Sequence, residues 1–235
     1  MRQMREIVFD TETTGLSALN GDRIVEIGCI ELINRVETGR FYHSYCNPER
    51  SMPPEAQAVH GLSEAFLADK PLFYDICEDL LDFLEDSPLV AHNAVFDFAF
   101  LNTELGNCGR LHVGASRMID TLSMSRAKHP GAKHSLDALC VRFGIDRSHR
   151  VKHGALLDAQ LLAQIYVELT GGRQIGLMLA DDGKIVNEPV TLRDSFERKD
   201  RAPRPHSASP EELERHRAFV AKLTDPLWTV AGASG

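Results

Sequence analysis

Glu6-Ile7-Val8-Phe9-Asp10-Thr11-Glu12 has the period of two that puts Val8, Asp10 and Glu12 on one side of a strand. Turn residues follow at Thr14-Gly15 and Asn20-Gly21, then two more strand candidates, Arg23–Ile33 and Gly39–Cys46. Sequential strands with short links predict an antiparallel meander. From Pro53 the spacing turns helical, with a stripe of Leu80, Leu81, Phe83 and Leu84 that Pro88 ends. Leu89–Ala91 reads as a short buried strand. It leads through His92, read as structural, to Asn93, an N-cap for a helix running to about Leu105, where Gly106 stops it. Met118-Ile119 is a further short strand. Asp120 reads as the cap of a helix beginning at Thr121 rather than as an extra metal ligand. Ser135 caps the helix of Leu136, Leu139 and Phe143, and the clearest helix is Ala155–Leu169, closed by Gly171-Gly172. Strands first, then alternating helices and strands, predict an α/β fold with a mixed sheet flanked by helices.

After Gly172 the texture changes. Residues 181–208 are rich in charge and proline and poor in large apolar groups, as a linker is. Ser209-Pro210-Glu211-Glu212 is a capping-box start for a short helix that ends near Asp225-Pro226. So small a helix builds no core of its own. Its Leu213, Phe219 and Leu223, with the nearby Trp228, call for a partner surface.

Composition narrows the chemistry. No apolar run reaches the roughly 20 residues of a membrane span, and the N-terminus lacks a signal pattern, so a cytoplasmic protein is expected. The five cysteines form no CxxC pair, which predicts free thiols rather than zinc or disulfides. The 34 acidic against 26 basic residues leave a net charge of −8. A protein that grips nucleic acid unaided is normally basic, because phosphate neutralisation supplies the non-specific affinity. For a nucleic-acid substrate, cations in the site or a partner must therefore bring the phosphate in.

Asp10 and Glu12 point the same way from a largely apolar strand, where two acids repel each other unless a cation sits between them; taken alone the pair also fits a solvated strand edge. Asp158 shares the inward face of Leu161, Leu162 and Ile165 on the most apolar helix, and Asp97 sits near the start of its own. Four acids among apolar neighbours, with no basic residue evident nearby in sequence, favour metal binding over ion pairing. His153 precedes Asp158 by five residues, which on an ideal helix turns it about 140° away. To serve the same site it must lie on the loop before the helix, where Gly154 gives freedom, and there an imidazole suits a general base.

FDTETTGL around Asp10 and Glu12, HNAVFD ending at Asp97, and HGALLDA from His153 to beyond Asp158 resemble the three motifs of the DEDDh family of 3′→5′ exonucleases. VHGL at Val59–Leu62, SLDALC at Ser135–Cys140 and TGG after the last long helix are similar to the branch that proofreads for bacterial replicative polymerases. The resemblance implies a ribonuclease-H-like fold with a mixed five-stranded sheet over 1–172, and two divalent cations, Mg²⁺ or Mn²⁺. It implies that Asp10, Glu12 and Asp158 hold the tighter metal, Asp10 bridging to a second held by Asp97, with His153 as base. Thr13, Glu55 and His60 would line the nucleotide pocket. The implied substrate is a single-stranded or frayed DNA 3′ end. Gln174, Leu177 and Leu179 (within 173–180) are similar to a sliding-clamp-binding peptide, though the same residues could equally pack back on the catalytic domain. The segment 209–235, with Trp228, would bind the replicative polymerase subunit across the 181–208 linker. Two other readings stay open: a stand-alone exonuclease of this family that trims RNA or short oligonucleotides, and a non-catalytic polymerase scaffold.

Overall fold

The computed structural model describes residues 4–150, 152–171 and 208–224, which fall into two units, one holding the sheet and the other a single tail helix. In chain order the first unit comprises β1 (Arg5–Thr13), β2 (Ile24–Ile33), β3 (Val36–Tyr45), α1 (Pro54–His60), α2 (Glu64–Leu67), α3 (Phe73–Leu84), β4 (Leu89–Ala91), α4 (Ala94–Asn107), β5 (Met118–Asp120), α5 (Thr121–Lys128), α6 (Leu136–Phe143) and α7 (Ala155–Leu169). The second is α8 (Pro210–Val220).

The meander is present: β1 pairs antiparallel with β2, and β2 with β3. Strands β4 and β5 then add in parallel on the other side of β1, giving the order β3-β2-β1-β4-β5. β1 is thus central and buries both faces. Ile7 and Phe9 pack with Phe73, Leu80, Phe98 and Leu101 from α3 and α4. Val8 packs on the opposite face with Ala159, Leu162, Ala163 and Tyr166 of α7. The alternation seen in the sequence therefore sends Asp10 and Glu12 toward α7.

Local signals held where the interaction is local. Ser135 accepts from Ala138 N at 3.3 Å, and Ser209 with Glu212 forms the reciprocal capping box of α8. Three boundaries differ from expectation. β3 begins at Val36 rather than Gly39, because Asn34 (φ 51°) and Arg35 (φ 66°) make a two-residue hairpin turn without glycine. Gly39 (φ 83°) instead lies at the irregularity where the β2–β3 register shifts. α4 runs through Gly106 to Asn107, since its apolar side remains buried as far as Leu105. Asn93 is itself left-handed (φ 67°) and its side chain caps nothing. The carboxylate of Asp120 takes over, accepting from Asn93 N at 3.0 Å and Ala94 N at 3.2 Å.

Asp120 also caps α5 as expected, accepting from Leu122 N at 3.1 Å and Ser123 N at 3.2 Å. One side chain thereby pins two helix starts at the carboxyl ends of β4 and β5. His92 Nδ1 lies 3.0 Å from Thr121 Oγ1 in the same joint, a structural place. His134 Nδ1 lies 2.7 Å from Ser125 Oγ. All five cysteines are free. No helix among the described residues is long and apolar enough to cross a membrane. Gln174, Leu177, Leu179 and Trp228 lie outside the described residues.

Candidate active site

Three elements meet at the end of β1. Asp10 and Glu12 leave the strand on the α7 side, with Gly28 and Glu26 as their cross-strand neighbours on β2. Gly28 has no side chain, and a Cβ there would lie 2.4 Å from the backbone N and Cα of Leu156. That gap lets the first turn of α7 rest directly on the sheet, which brings Asp158, only 3% exposed, over the strand acids. Glu12, His153 and Asp158 each offer a ligand atom within 4.8 Å of the others. Asp97, in the first turn of α4, enters from the other side. Its carboxylate accepts from Thr11 N at 3.1 Å and Thr11 Oγ1 at 2.8 Å, so β1 itself orients it.

The electrostatics are those of crowded acids. Burial first, then the charges of Asp97, Asp158 and Glu12, holds Asp10 well above the usual carboxylate range, although the residue keeps some exposure. Burial, with Asp158 and Glu26, raises Glu12 to about 8. Burial raises Asp97 to about 7 against the opposing hydrogen bonds from Thr11. Carboxylates so placed take up protons or a cation. His153 sits on the loop before α7 with its side chain 48% exposed, Nδ1 3.4 Å from Asp158 Oδ2.

Thr13 is buried beside this cluster, its Oγ1 donating to Gly15 O at 2.6 Å. His60 is 6% exposed; its Nδ1 accepts from Leu62 N at 3.0 Å, so the proton sits on Nε2. That Nε2 is buried with no partner among the described residues. Burial lowers the His60 pKa, which keeps the ring neutral. Glu55 is exposed in the first turn of α1 and makes no hydrogen bond or ion pair with the acids.

The acids are not free of basic partners, as the sequence reading had it. Arg150 grips Asp158 through a two-pronged ion pair, Nε to Oδ1 at 2.5 Å and a terminal nitrogen to Oδ2 at 2.7 Å. The pairing was not foreseen because Arg150 lies eight residues before its partner and outside the periodic pattern of α7. Glu26 was also passed over. It is 4% exposed and lies 2.8 Å from His43 Nε2, a hydrogen-bond partner for one acid of the row. Gly28 carries no chemistry in its own right. Its one signal was a glycine inside an otherwise apolar strand, which marks a close backbone approach.

A family model described as Exonuclease matches residues 7–166. The chain is 48% identical over 228 residues to DNA polymerase III subunit epsilon of Rickettsia conorii, spanning 95% of this chain and 98% of the relative. Among solved structures, exonuclease X in complex with 5′ overhanging duplex DNA superposes with a TM-score of 0.56 at 28% identity, covering 70% of this chain and 90% of that one. The nuclease domain of 3′hExo, a DEDDh family member bound to rAMP, gives a TM-score of 0.62 at 17% identity, covering 72% and 92%, a likeness of fold. The chain belongs to the exonuclease family, and within it to the DNA polymerase III epsilon subunits.

Proposed function

We propose that this chain removes nucleoside monophosphates from DNA 3′ ends with the help of two divalent cations, and that it proofreads for a replicative polymerase. What supports the reading is the cluster of Glu12, His153 and Asp158, whose ligand atoms lie within 4.8 Å of one another, with Asp10 close enough to Asp97, Asp158 and Glu12 to feel their charges. The donor set suits hard cations: every ligand candidate but His153 offers oxygen, and burial holds Asp10, Glu12 and Asp97 above their ordinary range. Asp10, Glu12 and Asp158 would hold one ion, and Asp10 with Asp97 the other; Mg²⁺ and Mn²⁺ both fit such ligands. When bound, the pair supplies charge stabilisation at the phosphodiester oxygens and makes the attacking water more acidic.

His153 then accepts the proton of that water at an imidazole nitrogen, its loop position leaving it open to solvent and substrate. His60, whose buried Nε2–H has no partner among the described residues, and Thr13 would hold the terminal nucleotide, with Glu55 at the outer edge. The test is a Mg²⁺-dependent assay on single strands blocked at either end. A 3′-blocked strand is expected to survive and a 5′-blocked strand to release mononucleotides. Equal loss of both overturns the polarity, and RNA cut faster than DNA overturns the substrate.

The acidic surface then has an explanation. With a net charge of −8, the enzyme has little non-specific hold on DNA and depends on delivery of the strand end. We divide the chain into a catalytic domain 1–172, a clamp peptide 173–180 with Gln174, Leu177 and Leu179, a linker 181–208, and a polymerase-binding tail 209–235 with Trp228. α8 and the turn after it present Leu213, Phe219 and Leu223 exposed, which suits docking on another protein. A flexible tether would raise the local concentration of the nuclease at the primer terminus. Truncation after Ala180 is expected to leave oligonucleotide hydrolysis unchanged and to abolish co-elution with the polymerase subunit. Retained co-elution overturns the tether.

A further inference from the structure

We infer that Arg150 is a positioning residue that competes with divalent metal for Asp158, and so sets the metal affinity of the site and exchanges partners as the site loads. The inference rests on the reading of Asp158 as a metal ligand.

Three features of the structure carry it. Arg150 engages both oxygens of the Asp158 carboxylate, at 2.5 and 2.7 Å, in the fork-to-fork geometry that satisfies a carboxylate most fully. The same carboxylate is the group that completes the ligand cluster with Glu12 and His153. A guanidinium and a divalent ion both demand those oxygens, so binding of one weakens binding of the other. The arginine side chain is only 8% exposed, so a guanidinium that loses its carboxylate needs another close by. Asp137, in the first turn of α6, supplies it: Arg150 already lies 3.1 Å from Asp137 Oδ1, and this second acid is 45% exposed and can follow the shift. Arg147 shares Asp137 at 2.8 Å and helps to hold it.

The guanidinium also reaches the proposed base. A terminal nitrogen of Arg150 donates to His153 Nδ1 at 2.8 Å, so one group secures both the ligand and the imidazole. When metal takes Asp158, the arginine moves toward Asp137 and His153 gains freedom to turn to substrate. Loading the site and releasing the base become one event.

The experiment is titration of the full-length, chelator-stripped protein with Mn²⁺, with thermal unfolding followed in parallel. Arg150→Ala is expected to bind Mn²⁺ roughly tenfold more tightly, and to melt lower in chelator by an amount that shrinks at saturating Mn²⁺. Asp137→Asn, which weakens the alternative anchor, is expected to bind Mn²⁺ more weakly than the parent. A folded Arg150→Ala protein with unchanged or weaker Mn²⁺ affinity overturns the inference, and so does an Asp137→Asn protein that binds more tightly. Asp158→Asn separates the two layers of the argument. If it loses no Mn²⁺ affinity, the ligand assignment fails; if it loses affinity while Arg150→Ala changes nothing, the role given to Arg150 fails alone.

Discussion

Asp10→Asn is expected to lower the rate of DNA hydrolysis by roughly 10³-fold or more, while the protein melts in chelator at the same temperature as the parent or a higher one. The activity loss follows from the position of Asp10, an acid that would help to hold the cations the reaction needs. Removing it withdraws several kcal/mol of transition-state stabilisation, about 1.4 kcal/mol per tenfold in rate. The stability follows from the same crowding. Burial, then Asp97, Asp158 and Glu12, drives Asp10 toward its protonated form, and asparagine is close in shape to a protonated carboxyl. The substitution therefore relieves repulsion in the fold and destroys the metal cage, the opposite signs expected of a functional acid. Rates with Mg²⁺ and melting curves in chelator decide the matter. A variant within tenfold of parental activity would remove Asp10 from the metal set, and a steep fall in melting temperature would make it a structural acid.

What could be read from the sequence follows from how far each interaction reaches along the chain. The alternation in β1 placed Asp10 and Glu12 on the face of Val8, and α7 covers that face, because strand geometry fixes side-chain direction within a few residues. The caps at Ser135, Ser209 and Asp120 were legible for the same reason: donor and acceptor lie within three residues. The second duty of Asp120, at the start of α4, was not, since it spans 26 residues and depends on β4 and β5 lying side by side. Arg150 escaped because its partner is reached through a loop with no periodic pattern. The hairpin at Asn34-Arg35 escaped because no glycine marks it: Asn34 tolerates a positive φ, but Arg35 is a residue that ordinarily avoids one. Gly28 is the sharpest case. A side chain that is absent leaves no mark in hydropathy or charge, yet the approach of α7 to the sheet depends on it.

Gly28→Ala is accordingly expected to reduce hydrolysis by up to about 10²-fold with only a modest loss of stability. An alanine Cβ would sit 2.4 Å from the backbone of Leu156 and 2.5 Å from the carbonyl carbon of Ala155, where ordinary contact begins at 3.4 Å. Backbone at the start of a packed helix cannot swing aside as a long side chain can, so α7 must lift by about 1 Å, a shift that costs about 1–3 kcal/mol in overpacking. Asp158 lies two residues beyond Leu156 and moves with that turn, away from Asp10, the direct cross-strand neighbour of Gly28. A misplacement of about 1 Å at a reacting centre can lower a rate by about 10²-fold. Stability loss alone is controlled by Ile165→Val, a trim of about 0.5–1.5 kcal/mol farther along the same helix, where Ile165 packs against α6 rather than the acids. If Gly28→Ala weakens Mn²⁺ binding and slows hydrolysis while Ile165→Val does neither, the glycine acts through the position of Asp158. If the two variants match in rate and in metal affinity, the close approach of α7 serves packing alone.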